Sequence, residues 1–185
     1  CIRPCRAFRG NPLNFVRRGP GGVIEEPPVD AVIFRQNTEG LYMGVEWHPL
    51  PQEVRDVMKR THPAQMKVLE ATANEDIAVS CRIFTRAGCQ NIVRAAFEYA
   101  KTFGYKSVTV CEKPNVIRET SGMMTFEARA VAKDFPGVAL WETNIDAQMM
   151  WLTKNPEDYG VILSGNMFGD IASDGFAGLV GGLGF

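Results

Sequence analysis

From residue 86 onward the chain alternates apolar runs of two periods, and this rhythm limits the folds open to it more than any other feature. Over 89–102, Ile92, Val93, Ala96, Phe97 and Ala100 form one helical stripe, and Gly104 supplies the stop. The run over 107–111 then reads as a strand. A helix over about 122–134, a strand over 138–142, a helix over 146–153, a strand over 160–164 and a final helix from about Gly169 follow in turn. Repeated strand–helix units mean an α/β architecture.

The first half is less regular. Residues 9–30 are rich in Gly and Pro, with Arg17-Arg18 and Glu25-Glu26 among them, which is the composition of an irregular connection. Ala31-Val32-Ile33-Phe34 has the continuous apolar character of a buried strand, and 41–47 also reads as extended. From Pro49 to about Asn74 the pattern is that of an inserted subdomain. Val54, Val57 and Met58 share one helical face, Pro63 breaks the run, and Met66, Leu69 and Glu70 suggest a second short helix.

Charge and composition exclude several classes of function. A formal net charge of -1 leaves no basic excess with which to bind a nucleic-acid backbone, so any anion site must be local. No apolar run approaches the roughly 18 to 20 residues that span a bilayer, so the expectation is a soluble, cytoplasmic protein without a membrane partner. Cys1, Cys5, Cys81, Cys89 and Cys111 lack the paired spacing of a zinc site and read as reduced thiols. The chain opens without Met and closes on a glycine-rich run, which reads as a fragment of a longer protein.

Four polar constellations sit where chemistry is expected. In Asn166-Met167-Phe168-Gly169-Asp170-Ile171-Ala172-Ser173-Asp174, a helix spacing of four puts Asp170 and Asp174 on one face, just beyond the end of a strand, where α/β sheets place ligands. A divalent ion such as Mg²⁺ or Mn²⁺ would neutralise the pair; otherwise Asp170 serves the helix dipole and Asp174 is solvated. Arg35-Gln36-Asn37-Thr38-Glu39-Gly40-Leu41-Tyr42 combines a guanidinium suited to a carboxylate with a titratable phenol. Arg3 and Arg6 form a further cationic pair. Cys111-Glu112-Lys113-Pro114-Asn115 ends the strand over 107–111, where partial desolvation would tune Lys113 toward a base. Asp146 opens a Met-rich helix as a cap or first-turn acid. His48 and His62 have no motif partner, the glycine run 181–184 lacks a dinucleotide fingerprint and reads as a turn, and Met149-Met150-Trp151 reads as core.

Arg3, the stretch 32–47, Lys113-x-Asn115, Asp146 and Gly169-Asp170-x-x-x-Asp174 occur in an order and approximate spacing that resembles the isocitrate and isopropylmalate dehydrogenases across essentially the whole chain. The resemblance implies a fold of that family's type, not a Rossmann fold. It assigns 1–39 and 81–185 to a small α/β domain with the start of the return to a large domain, and 40–80 to a clasp-like dimerisation insertion.

It also implies roles. Residues like Arg3 and Arg35 hold substrate carboxylates. Asp170 and Asp174, with an Asp146 from the partner subunit of a homodimer, surround Mg²⁺ or Mn²⁺. A Lys113, also from the partner subunit, takes the hydroxyl proton as hydride passes to NAD or NADP, Tyr42 protonates the enolate left by carbon dioxide, and Asn115 lies beside substrate and nicotinamide. The long insertion favours isocitrate oxidation to 2-oxoglutarate over homoisocitrate or 3-isopropylmalate chemistry. A non-catalytic regulatory subunit or dimerisation module of the same fold is the alternative class. Pro114 stands where a small Ala or Gly is usual, Arg118 where Lys is, and Gln36 where Glu is common.

Overall fold

The computed structural model describes residues 1–182. In chain order its elements are strands β1 (Ile2–Arg6), β2 (Arg17–Arg18), β3 (Ile24–Glu25), β4 (Asp30–Arg35) and β5 (Glu46–Trp47), helices α1 (Gln52–Thr61) and α2 (Pro63–Met66), strand β6 (Val79–Ser80), helix α3 (Arg86–Phe103), strand β7 (Ser107–Glu112), helix α4 (Thr120–Val131), strand β8 (Ala139–Asn144), helix α5 (Ile145–Lys154), strand β9 (Val161–Ser164) and helix α6 (Asn166–Leu179). The α/β expectation holds. Part of the glycine run, Leu183 and Gly184, lies outside the described residues.

One five-stranded sheet of order β1-β4-β9-β7-β8 organises the fold, with β4, β9, β7 and β8 parallel and β1 antiparallel at one edge. Because side chains alternate across a strand, the continuous apolar run of β4 serves two cores. Val32 and Phe34 pack with Val108, Val110, Val161 and Leu163 under α3 and α4, where Phe97 and Met124 are fully buried. Ala31 and Ile33 pack with Ile162 and Cys111 under α5 and α6, around Leu152 and Phe176. Burying both faces explains why these strands lack polar alternation.

Three stretches differ from the sequence reading. Over 41–47 the chain makes a 3-10 turn at Leu41–Met43, ended by Gly44 at φ 69°, and Glu46–Trp47 alone is strand. Ile2–Arg6 forms a strand although Pro4 interrupts it, and an edge strand is where a proline's missing donor is tolerated. The Met149-Met150-Trp151 stretch is not simply core: Met149 packs on the sheet, while Met150 and Trp151 are exposed.

Between Gly40 and Ser80 the chain leaves the sheet as the β5–β6 ribbon with α1 and α2. Its packing is anchored by Arg55, which is buried and donates to the carbonyls of Leu69 (2.6 Å) and Thr72 (2.8 Å) and to Asn74 Oδ1 (2.6 Å). Leu50, Met66 and Ile77 are buried too, whereas Val57, on the face expected to be apolar, is exposed along with Val68. The helix thus buries its arginine and leaves Val57 outward.

Candidate active site

The carboxyl ends of β4 and β9 lie side by side, with Arg35 in register with Ser164, and α6 begins immediately beyond. That placement stacks Arg35 against the first turn of the helix. A Cβ on Gly169 would sit 2.9 Å from Arg35 Cγ, so glycine is what lets the side chain lie there. Arg35 donates from Nε and Nη2 to Asn166 Oδ1 at 3.0 and 2.8 Å, and its Nη1 pairs with Asp170. Asn166 in turn donates to the Glu39 carbonyl at 3.1 Å, tying the helix start to the loop that carries Tyr42.

Asp170 is the hub. Arg3 Nη1, reaching over from edge strand β1, lies 2.9 Å from Asp170 Oδ1 and 3.7 Å from Asp174 Oδ1, and donates to Ser173 Oγ at 2.7 Å. The Tyr42 hydroxyl donates to Asp170 Oδ2 at 3.3 Å, and its ring lies 5.4 Å from the Arg35 guanidinium carbon. Arg3 from β1, Arg35 from β4 and Tyr42 from the turn after β4 therefore converge on Asp170, and Arg3 also reaches Asp174 on the same helix face. Gln36 helps shape the Tyr42 loop by accepting from the Thr38 backbone N–H at 2.6 Å, a role a carboxylate could also fill.

Lys113, Asn115 and Asp146 form a second group at the carboxyl ends of β7 and β8. Lys113 Nζ lies 2.6 Å from Asp146 Oδ1, and this hydrogen bond holds the Asp146 carboxyl below its ordinary value. Asp146 sits in the first turn of α5, as expected. Asn115 is exposed and lines a cleft of about 220 Å³ with Pro114, Thr125, Thr143 and Asn144. The Val116 N–H donates to the Lys113 carbonyl at 3.2 Å, so Pro114 occupies the second position of a turn, where its fixed φ fits.

No hydrogen bond or ion pair among the described residues joins the two groups. Nor does any set of three or more acidic, His or Cys side chains converge as a metal site there. The donor chemistry of Asp170 and Asp174 suits a hard divalent cation, since both offer carboxylate oxygens on one face, but a single chain supplies two such residues and its arginines occupy them. The pair fits the ion in kind and needs further oxygen ligands from outside.

Glu112, Arg82 and Ser121 escaped sequence reasoning. Glu112 ends β7 fully buried, and Arg82 Nη2 lies 2.8 Å from its Oε2. An acid closing an apolar strand was the visible signal for Glu112; Arg82 carried none. Asn166 lies inside the α6 motif, but nothing in the sequence shows that it holds Arg35.

The sequence model described as Isocitrate/isopropylmalate dehydrogenase matches residues 1–185. A 3-isopropylmalate dehydrogenase of Archaeoglobus fulgidus is 39% identical over 99% of this chain and 45% of its own length. Catalytic subunit 5 of the mitochondrial NAD isocitrate dehydrogenase of Arabidopsis thaliana is 34% identical over 99% of this chain and 40% of its own. The crystal structure of isocitrate dehydrogenase from Methylococcus capsulatus superposes with a TM-score of 0.75 at 31% identity, over 98% of this chain and 44% of that one. The chain thus spans less than half the length of these relatives. With the sequence match over residues 1–185 and the fold match in agreement, the chain belongs to the isocitrate/isopropylmalate dehydrogenase family.

Proposed function

We propose that this chain is the central part of a metal-dependent dehydrogenase that oxidises and decarboxylates a hydroxy diacid or triacid, with isocitrate as substrate and 2-oxoglutarate as product. The observation that carries this reading is the convergence of Arg3, Arg35 and Tyr42 on Asp170 at the carboxyl end of the sheet. Guanidiniums that now hold the Asp170 carboxylate can exchange it for carboxylates of a substrate. Asp170 and Asp174 are then free to hold Mg²⁺ or Mn²⁺. When bound, the cation supplies Lewis acidity and NAD or NADP accepts hydride. The half-exposed Tyr42 hydroxyl is positioned to return a proton to the carbon that loses carbon dioxide.

Lys113, paired with Asp146 in the free chain, is the proposed base for the substrate hydroxyl, with Asn115 beside the substrate and nicotinamide. Since this trio makes no bond to the Asp170 group within the chain, we place it in the active site of a second copy, so that a homodimer shares two composite sites. The Lys113–Asp146 pair would open there, releasing the Asp146 carboxylate to the metal. Residues 40–80, with Val57 and Val68 exposed, are assigned as the clasp of that dimer, and residues 1–39 and 81–185 are assigned to the small α/β domain with the start of the return to the large domain.

A specific observation favours a second substrate, 3-isopropylmalate: the relative that is 39% identical bears that name. The full-length protein, assayed with isocitrate, homoisocitrate, 3-isopropylmalate and tartrate, with NAD and NADP and with or without Mg²⁺ or Mn²⁺, decides between them. Metal-dependent turnover of isocitrate is expected, falling about 10²–10³-fold in Asp170→Asn, the scale of losing a major electrostatic element of a site. Turnover of 3-isopropylmalate instead would change the substrate, and no turnover of any would favour a non-catalytic subunit.

A further inference from the structure

The fully buried Glu112 lies at the crevice where the sheet's connections part, since β7 leads to α4 on one face and β9 leads to α6 on the other. Its carboxylate gathers three segments. Oε1 accepts the Gly165 backbone N–H at 2.7 Å, at the start of α6. Oε2 accepts the Ser121 hydroxyl at 2.6 Å, in the first turn of α4, and the Arg82 guanidinium at 2.8 Å, from the segment that leads to α3. Ser121 Oγ also accepts the Lys113 backbone N–H at 3.3 Å, so the base-bearing residue hangs directly on this network.

The surroundings are built for a charge. The Arg82 side chain lies with its guanidinium carbon 4.6 Å from the Phe84 ring centroid and 4.8 Å from that of Phe168, and it also donates to Ser121 at 2.9 Å and Thr120 at 3.2 Å. A Cβ on Gly165 would meet Phe84 at 2.6 Å and Glu112 at 2.7 Å, so the close approach of backbone to carboxylate depends on glycine. Buried ion pairs often add little net stability over a well-packed apolar substitute. What this one provides is direction: it fixes the backbone of Lys113 relative to α6.

We propose that Glu112 is a positioning residue for the reaction, acting through Ser121 and Arg82 to aim Lys113, and that it does not itself touch substrate. This rests on the reading of Lys113 as the base. An apolar core at the same place would let the turn at 113–116 settle in several arrangements, whereas a carboxylate with three donors allows one.

The test is a double-mutant cycle in the full-length protein, with kcat and KM measured for whichever hydroxy acid the wild type oxidises. Glu112→Gln should lower kcat at least ~10-fold and leave KM within ~3-fold, because a misaimed base is felt in the transition state more than in substrate binding. In a Lys113→Met background the same change should alter the residual kcat less than ~2-fold, since there is no amine left to aim. Ser121→Ala carries the same comparison with a milder lesion, should Glu112→Gln fail to fold. Equal fold-losses in both backgrounds would make the network purely structural and overturn the proposal. If Lys113→Met alone leaves kcat unchanged, the base assignment has failed and the proposal falls with it, an outcome separable from the first.

Discussion

Two carboxylates in this protein are placed for opposite purposes. Asp170 is partly open and its partners, Arg3, Arg35 and Tyr42, are groups that can also face a ligand. Glu112 is closed in, and its partners Arg82, Ser121 and the Gly165 N–H leave its carboxylate no room for a ligand. Asp146 is more exposed than either, and its carboxyl is held low by the Lys113 amine. Because its folded value is depressed, the stabilisation from this pair is present above the ordinary carboxylate range and is lost as pH falls through the depressed value. In an NMR titration Asp146 should therefore protonate at lower pH than an unpaired aspartate, and Lys113→Met should move its midpoint upward. A different cost is carried by Gln148, fully buried on α5 beside the Tyr159 hydroxyl, with neither amide atom in a well-formed hydrogen bond. Gln148→Met should raise stability by about 1–2 kcal/mol, read by thermal or urea unfolding, because an unmade buried hydrogen bond costs that much. Nothing in the residue order marked Gln148 as buried without partners.

At the scale of elements, α3 was the most legible part of the chain. Its stripe of Val93, Ala96, Phe97 and Ala100 is buried, Thr85 caps its start by accepting from the Gly88 N–H at 3.0 Å, and Gly104 ends it at φ 76°. A side chain added at Gly104 would meet open space, so Gly104→Ala tests backbone strain alone. It should cost about 1 kcal/mol in equilibrium unfolding, the scale of forcing an L-residue into the left-handed region. The segment over 41–47 has an extended-looking sequence yet forms a turn, for a physical reason. Its apolar residues belong to a turn that presents Tyr42 toward α6, and the pattern of such a turn depends on what it faces, not on its own period. Strand β1 was hidden likewise, since five residues with Pro4 and two arginines lack strand character until β4 lies beside them.

At the scale of the whole molecule, the separation of Lys113 and Asp146 from Asp170 and Asp174 is the feature with the largest consequence. If two copies share their sites, Lys113→Met and Asp170→Asn each retain only a small residual activity alone, yet a hybrid dimer holds one intact site and one with both lesions. Random subunit exchange makes half the dimers hybrid, so mixing the two variants in equal amounts should restore about a quarter of wild-type activity in a symmetric C₂ dimer. Absence of recovery after verified exchange would mean that a single chain supplies both residues of each site. The strand–helix alternation and the spaced acids were readable from the sequence because they follow from local rules: apolar period, capping, and the four-residue step that puts two carboxylates on one helix face. The pairing of Arg3 with a helix 167 residues later, the burial of Arg55 and Glu112, and the division of polar residues into two groups were settled by tertiary structure. Those depend on which surfaces the sheet order brings together, and long-range contact leaves no period in the chain.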